Sequence, residues 1–230
     1  MRKIFMLMLL VCAVNACAEA HAGVSYDSSD FVVLNDYIPD AKYDIRYYSE
    51  YNFTGERIDG YEAPLALLTR EAAEALREVN DELVAQNLTL KIYDAYRPQR
   101  AVNHFVRWSG NKDTKMKKYF YPEKNKRVLF KEGYISRRSG HSRGSTIDLT
   151  LYDLSNDIDV DMGGTFDYFG ERSHTNYKRL TKTQRNNRMF LRDIMQSHGF
   201  RGISTEWWHF TLNNEPYPDT YFDFPVNALN

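Results

Sequence analysis

Apolar positions along the chain fall into helical and strand-like periods separated by turn residues. Ala73, Leu76, Val79, Leu83 and Val84 recur at helical spacing, which predicts a helix over 70–86 with one face turned inward. Thr69 stands before it as the N-cap, and Glu71 and Glu74 lie in the first turns, where the helix dipole favours acids. Asn87 can end it in the left-handed conformation. Leu88, Leu90 and Ile92 then alternate with polar residues, as in a half-buried strand. Pro98 fits a first helical position, and Ala101, Val102, Phe105 and Val106 continue as an apolar stripe. A proline keeps the residue before it extended, so Arg97 stands at a strand-to-helix junction. Further on, Phe190, Leu191, Ile194, Met195 and His198 share a helical face, with Gly199 as the stop. His198 is expected to meet the last helical carbonyls.

This order predicts an α+β fold: a single domain with a central antiparallel sheet flanked by helices. Two stretches show no period. Residues 31–62 mix aromatics, charges and turn residues and are expected to wrap the surface. Residues 111–138 are highly basic and read as a solvated excursion.

Composition narrows the function. Among 230 residues, 30 Lys+Arg oppose 31 Asp+Glu, for a net charge of −1. No overall field attracts phosphate backbones, so nucleic acid is not an expected partner. Arg2 and Lys3 precede an apolar run from Ile4 to Val14, and small residues continue to Ala22. This is the order of a secretory signal peptide over residues 1–22, cut near 18–22, leaving a domain over 23–230. The run is shorter than the ~20 residues that span a bilayer. Both cysteines, Cys12 and Cys17, lie inside it, so the mature domain is expected to lack disulfides and thiolate chemistry. The expected location is periplasmic. Val14-Asn15-Ala16-Cys17 offers a minority alternative, a lipoprotein box with a lipid anchor at Cys17.

Chemistry concentrates in two stretches. In Ser139-Gly140-His141-Ser142-Arg143-Gly144-Ser145-Thr146-Ile147-Asp148-Leu149-Thr150-Leu151, residues alternate from Thr146 onward. Asp148 therefore sits within an apolar strand, where a free carboxylate is costly unless paired or coordinated. Gly140 and Gly144 permit a tight path that turns His141 back over that strand. In Ser204-Thr205-Glu206-Trp207-Trp208-His209-Phe210-Thr211-Leu212, a strand-like run, Glu206 and His209 are three apart. A regular strand would put them on opposite faces, so Glu206 must enter from a loop or bulge to share a site. Two imidazoles and a carboxylate with an open fourth position suit catalytic zinc, with a spare Glu to take a proton. Trp207 and Trp208 alternate faces, so one is expected in the core and the other at the cleft.

The same stretches closely resemble the D-alanyl-D-alanine dipeptidases of the vancomycin-resistance type, zinc peptidases related to D,D-carboxypeptidases and the hedgehog signalling domain. The likeness extends to Asn52-Phe53-Thr54-Gly55, Tyr93-Asp94-Ala95-Tyr96-Arg97-Pro98-Gln99-Arg100-Ala101-Val102, Phe166-Asp167 and Glu215-Pro216-Tyr217-Pro218. It implies a hedgehog/D,D-peptidase-like fold and one Zn²⁺ per chain on His141, Asp148 and His209. It implies Glu206 as general base and acid, Arg97 as the oxyanion stabiliser, Asp167 as the anchor of the substrate ammonium, and Ser139 lining that pocket. The implied substrate is a small D,D-dipeptide. A D,D-carboxypeptidase acting on wall peptides and a non-catalytic zinc module are the alternatives; Asp167 argues against the first, Glu206 and Arg97 against the second. His174, close after Asp167, is a candidate supporting residue, whereas His104 is expected to serve a surface or helix-packing role and not ligation.

Overall fold

The computed structural model describes residues 23–229, so the signal-peptide reading of 1–22 and both cysteines lie outside the described residues. In chain order the elements are β1 (Val24–Ser25), β2 (Phe31–Val33), α1 (Leu34–Tyr37), β3 (Lys42–Tyr43), β4 (Leu67–Thr69), α2 (Arg70–Val84), β5 (Leu88–Asp94), α3 (Gln99–Gly110) and α4 (Lys117–Phe120). They continue with β6 (Thr146–Asp153), β7 (Ile158–Asp159), α5 (Lys182–Ser197), β8 (Phe200–Gly202), β9 (His209–Leu212) and β10 (Tyr221–Phe222). The central sheet runs β3-β5-β6-β9-β8, with β7 added to β6. The α+β architecture is as expected. The sheet is antiparallel except at its edge, where β3 pairs parallel with β5. α2 packs on β5, and α5 on β8 and α2. Among the described residues no helix is long and apolar enough to cross a membrane.

The predicted helices form, with local corrections. Asn87 takes φ 59° after α2 and Gly199 φ 85° after α5, the left-handed stops that end helices. His198 meets the Ile194 carbonyl through Nδ1 at 3.0 Å. Thr69 is the N-cap residue but makes no side-chain cap; its buried hydroxyl bonds Ser145 Oγ at 2.8 Å instead. Pro98 is itself the N-cap of α3, one position earlier than expected. On α5 the apolar face holds Leu191, Ile194 and Met195, but Phe190 is 36% exposed and Arg188 is buried with that face instead.

Both unpatterned stretches are better buried than the sequence implied. Residues 31–62 supply Phe31, Leu34, Ile45, Tyr47, Phe53, Ile58 and Tyr61 to the core. Their large rings carry apolar area that no short-range period reveals. The basic excursion also folds inward, burying Phe120, Tyr121, Leu129 and Ile135. Lys126, 5% exposed, sits 4.0 Å above the Trp108 ring and donates to the Trp108 carbonyl at 3.2 Å; such cation–π contact and hydrogen bonding offset its desolvation.

Candidate active site

Strand register brings the site together. On β5–β6, Ile92 faces Leu149, the register then shifts, and Asp94 faces Asp148. On β6–β9, Asp148 faces His209. Opposed residues share a sheet face, so Asp94, Asp148 and His209 form one polar row across three strands. The bulge before Asp94 is decisive: period two would have left this aspartate on the apolar face with Leu90 and Ile92.

His141 arrives from a 3₁₀ turn over Gly140–Arg143, capped by Ser139, whose Oγ accepts from the His141 N–H at 3.3 Å. Gly144 ends the turn at φ 85°, and a Cβ there would stand 2.4 Å from the Phe31 ring, so only glycine fits. Glu206 lies in the loop entering β9, as its spacing required. The strand itself begins only at His209.

His141 Nδ1 donates to the Ala95 carbonyl at 2.7 Å, leaving the Nε2 lone pair for a ligand. That Nε2 lies 3.3 Å from His209 Nδ1 and 3.3 Å from Asp148 Oδ2, while His209 Nδ1 lies 3.0 Å from Asp148 Oδ1. Three ligands on a tetrahedral ion with bonds of about 2.0–2.1 Å stand about 3.3 Å apart. The donor set thus fits a divalent ion without rearrangement, and these three residues form a group able to hold one. Glu206 Oε2 lies 3.7 Å from His209 Nδ1.

Arg97 borders the group. Its Nε and Nη2 grip Asp94 Oδ2 at 2.9 and 2.8 Å, and Nη2 lies 3.5 Å from Asp148 Oδ2. Its guanidinium carbon sits 4.9 Å from the Tyr47 ring centre and 5.3 Å from that of Phe105. Asp94 accepts a further 2.5 Å bond from the Tyr61 hydroxyl. Asp167, 6% exposed and at φ 59°, accepts from the Tyr47 hydroxyl at 2.8 Å. The cleft of about 170 Å³ is lined by Arg97, Ser139, His141, Asp148, Asp167, Glu206 and His209 together. All seven residues singled out from the sequence converge there.

Burial and crowding set the protonation. Burial, reinforced by the Asp148 charge, lifts the Asp167 carboxyl well above its ordinary range despite Arg97 and Tyr47. Burial likewise lifts Glu206 to about 7, with Asp148 adding to the shift while His209 and Arg97 oppose it. Burial would raise Asp148 too, but His141 and His209 overrule it and hold the carboxyl below its usual range. Burial pushes His141 down. It also acts to lower His209, where bonding to Asp148 and the Glu206 charge win and raise it.

Residues 27–227 match the peptidase M15 family, D-Ala-D-Ala dipeptidase. The chain belongs to this family. It is therefore a zinc metallopeptidase of the D-alanyl-D-alanine dipeptidase type. The D-alanyl-D-alanine dipeptidase of Enterococcus faecium is 41% identical over 197 residues, 85% of this chain and 98% of its own length. That of Streptomyces coelicolor is 40% identical over 200 residues, 86% and 99% of the two chains. The Escherichia coli counterpart is 36% identical over 186 residues, 81% and 86%. Among solved structures, the LdcB LD-carboxypeptidase overlaps 83% of this chain and 71% of its own at a TM-score of 0.45 and 17% identity.

Several residues of this dipeptidase site escape a sequence reading. Tyr47 and Tyr61 come from the stretch expected on the surface, and Asp94 from the strand's apolar register. The tryptophan expectation needs correction: Trp207 and Trp208 are 3% and 1% exposed, and neither lines the metal cleft. Trp208 packs on Phe166 with ring centres 5.5 Å apart. His174 engages through its backbone carbonyl, which accepts from Arg188. His104, on α3, bonds the Asp59 N–H through Nδ1 at 3.2 Å and faces Glu56, away from the cleft.

Proposed function

We propose that His141, Asp148 and His209 hold one zinc ion per chain and that Glu206, Arg97, Asp167 and Ser139 carry hydrolysis and recognition of the free dipeptide around it. Convergence of three ligand atoms at tetrahedral spacing, with Glu206 beside them, carries this reading. Bound zinc supplies a Lewis acid that polarises the scissile carbonyl and acidifies a water.

The chain's own groups do the rest. Glu206, with its carboxyl near neutrality, is suited to take a proton from the attacking water and return it to the departing amine. Arg97 is aimed by Asp94 and faces the negative charge that develops on the carbonyl oxygen. Asp167 binds the substrate's ammonium: a buried carboxylate whose ionisation is opposed by its surroundings gains most from an incoming cation. Ser139 lines the same recess. The charges support this division. Asp94, Asp148, Asp167 and Glu206 all interact with one guanidinium, and a divalent ion and an ammonium would each relieve the excess of carboxylates.

Asp167 also explains why a dipeptidase would ignore longer chains. A peptide acylated at its amino end brings no ammonium, and one extended there carries its ammonium a residue too far from the scissile bond; either leaves a buried carboxylate unpaired. We further propose export to the periplasm through the signal peptide at 1–22, with action on wall-derived dipeptides there; the mass of the mature N-terminus distinguishes this from a lipid anchor at Cys17. The activity reading is tested with free and N-acetylated dipeptides of both hands, with and without a chelator. Chelator-sensitive cleavage restricted to free D,D-dipeptides supports it; equal cleavage of N-acetyl-D-Ala-D-Ala contradicts the ammonium anchor.

A further inference from the structure

Arg188, on α5, is 1% exposed, and its bonds all go to backbone carbonyls. Nε donates to Met162 at 2.6 Å, Nη1 to His174 at 2.7 Å and Nη2 to Arg172 at 3.0 Å. Its guanidinium carbon lies 5.5 Å from the Trp207 ring centre. No carboxylate shares these bonds. Burial lowers its pKa to about 10, with the Arg172 charge adding to the shift and the Asp161 charge opposing it. A buried charge with no carboxylate in contact is costly, and its three bonds reach out of α5 to other segments.

The carbonyls it gathers explain its presence. Met162 and His174 bracket the segment that has Asp167 in its middle, held at φ 59°. The far end of that segment is tied to the loop bearing Glu206: the Trp207 N–H donates to the Ser173 carbonyl at 3.0 Å, and the Thr175 N–H to Ser204 at 3.0 Å. One guanidinium thus closes the Asp167 segment at both ends and stacks on the residue next to Glu206.

We infer that Arg188 is a positioning residue that sets Asp167 and Glu206 in register across the cleft, although it touches neither. The inference rests on the ammonium-anchor and proton-transfer roles proposed above for those two carboxylates. A planar fork is what the task requires. It presents donors in several fixed directions at once, whereas a lysine ammonium is a compact charge on a single stem. Misplacement of about 1 Å at a reacting group can cost about 10²-fold in rate.

The test is R188K, purified with zinc and assayed on free D-Ala-D-Ala. The expected result is zinc content equal to wild type, KM raised about tenfold and kcat lowered about tenfold. A second variant, R188A, should regain activity on addition of millimolar methylguanidinium but not methylammonium. A merely structural role predicts otherwise: a smaller active fraction lowers kcat and leaves KM unchanged, and that pattern overturns the inference. Wild-type kinetics in R188K also overturn it, as does failure of both variants to fold, since the role claimed is local. Wild-type enzyme that cleaves N-acetyl-D-Ala-D-Ala as fast as the free dipeptide removes the Asp167 reading beneath it, an outcome separate from the R188K result.

Discussion

Asp94 and Asp148 face each other across β5 and β6, and the guanidinium of Arg97 spans the pair, at 2.8 Å from the first and 3.5 Å from the second. The closer, doubly bonded partner is Asp94, so the residue that aims Arg97 is distinct from Asp148, the proposed metal ligand. Burial raises the Asp94 carboxyl, with Asp148 adding to the shift, against the pull of Arg97 and His141.

Replacing Asp94 by Asn should therefore injure catalysis through Arg97 while sparing the metal. Loss of a charge-assisted bond to the residue proposed to face the transition state costs about 1.5–3 kcal/mol, and here mainly in kcat. Steady-state kinetics with zinc analysis check this; zinc loss in D94N would instead place Asp94 among the determinants of metal affinity.

Tyr47→Phe isolates the anchor. The Tyr47 hydroxyl is the side-chain donor to Asp167, and deleting one bond to a buried group costs about 1–3 kcal/mol. KM for the free dipeptide should rise, with kcat less affected. Ring packing against Phe53 and Phe105 is retained in the variant, so any fall in its melting temperature should reflect the lost hydrogen bond and not lost packing.

Glu206 carries a pH signature in the metal-free protein. Its folded value of about 7 exceeds the ordinary 4.5 because burial disfavours the charged form. Between those values the folded state holds a proton that the unfolded state has lost, so this group's contribution to stability falls as pH rises from about 4.5 to about 7. Glu206→Gln removes that dependence. The melting temperature of metal-free E206Q should exceed that of metal-free wild type by a margin that grows from pH 5 to pH 8; a constant margin contradicts the shift.

Legibility of this site in the sequence follows from periodicity. Asp148 stands out because Ile147, Leu149 and Leu151 mark an apolar strand around it, and His141 because two glycines flank it. Glu206 is legible as a loop residue because its odd separation from His209 cannot fit one strand face. Asp94 is hidden by a register shift that only pairing with β6 produces. Tyr47 and Tyr61 act on residues 120 and 33 positions away, from a segment with neither helical nor strand period. Arg188 is hidden because a basic residue beside Phe190 reads as the solvent face of α5, whereas the carbonyls it satisfies belong to a loop without pattern.

We propose zinc on His141, Asp148 and His209, and every catalytic role assigned above depends on it. An anomalous difference map collected at the zinc edge from metal-replete crystals tests it most directly. One strong peak is expected, bonded to His141 Nε2, His209 Nδ1 and an Asp148 oxygen at about 2.0–2.2 Å, with Glu206 outside the bonding shell. A map with no peak among these side chains, or with the ion bound elsewhere, contradicts it.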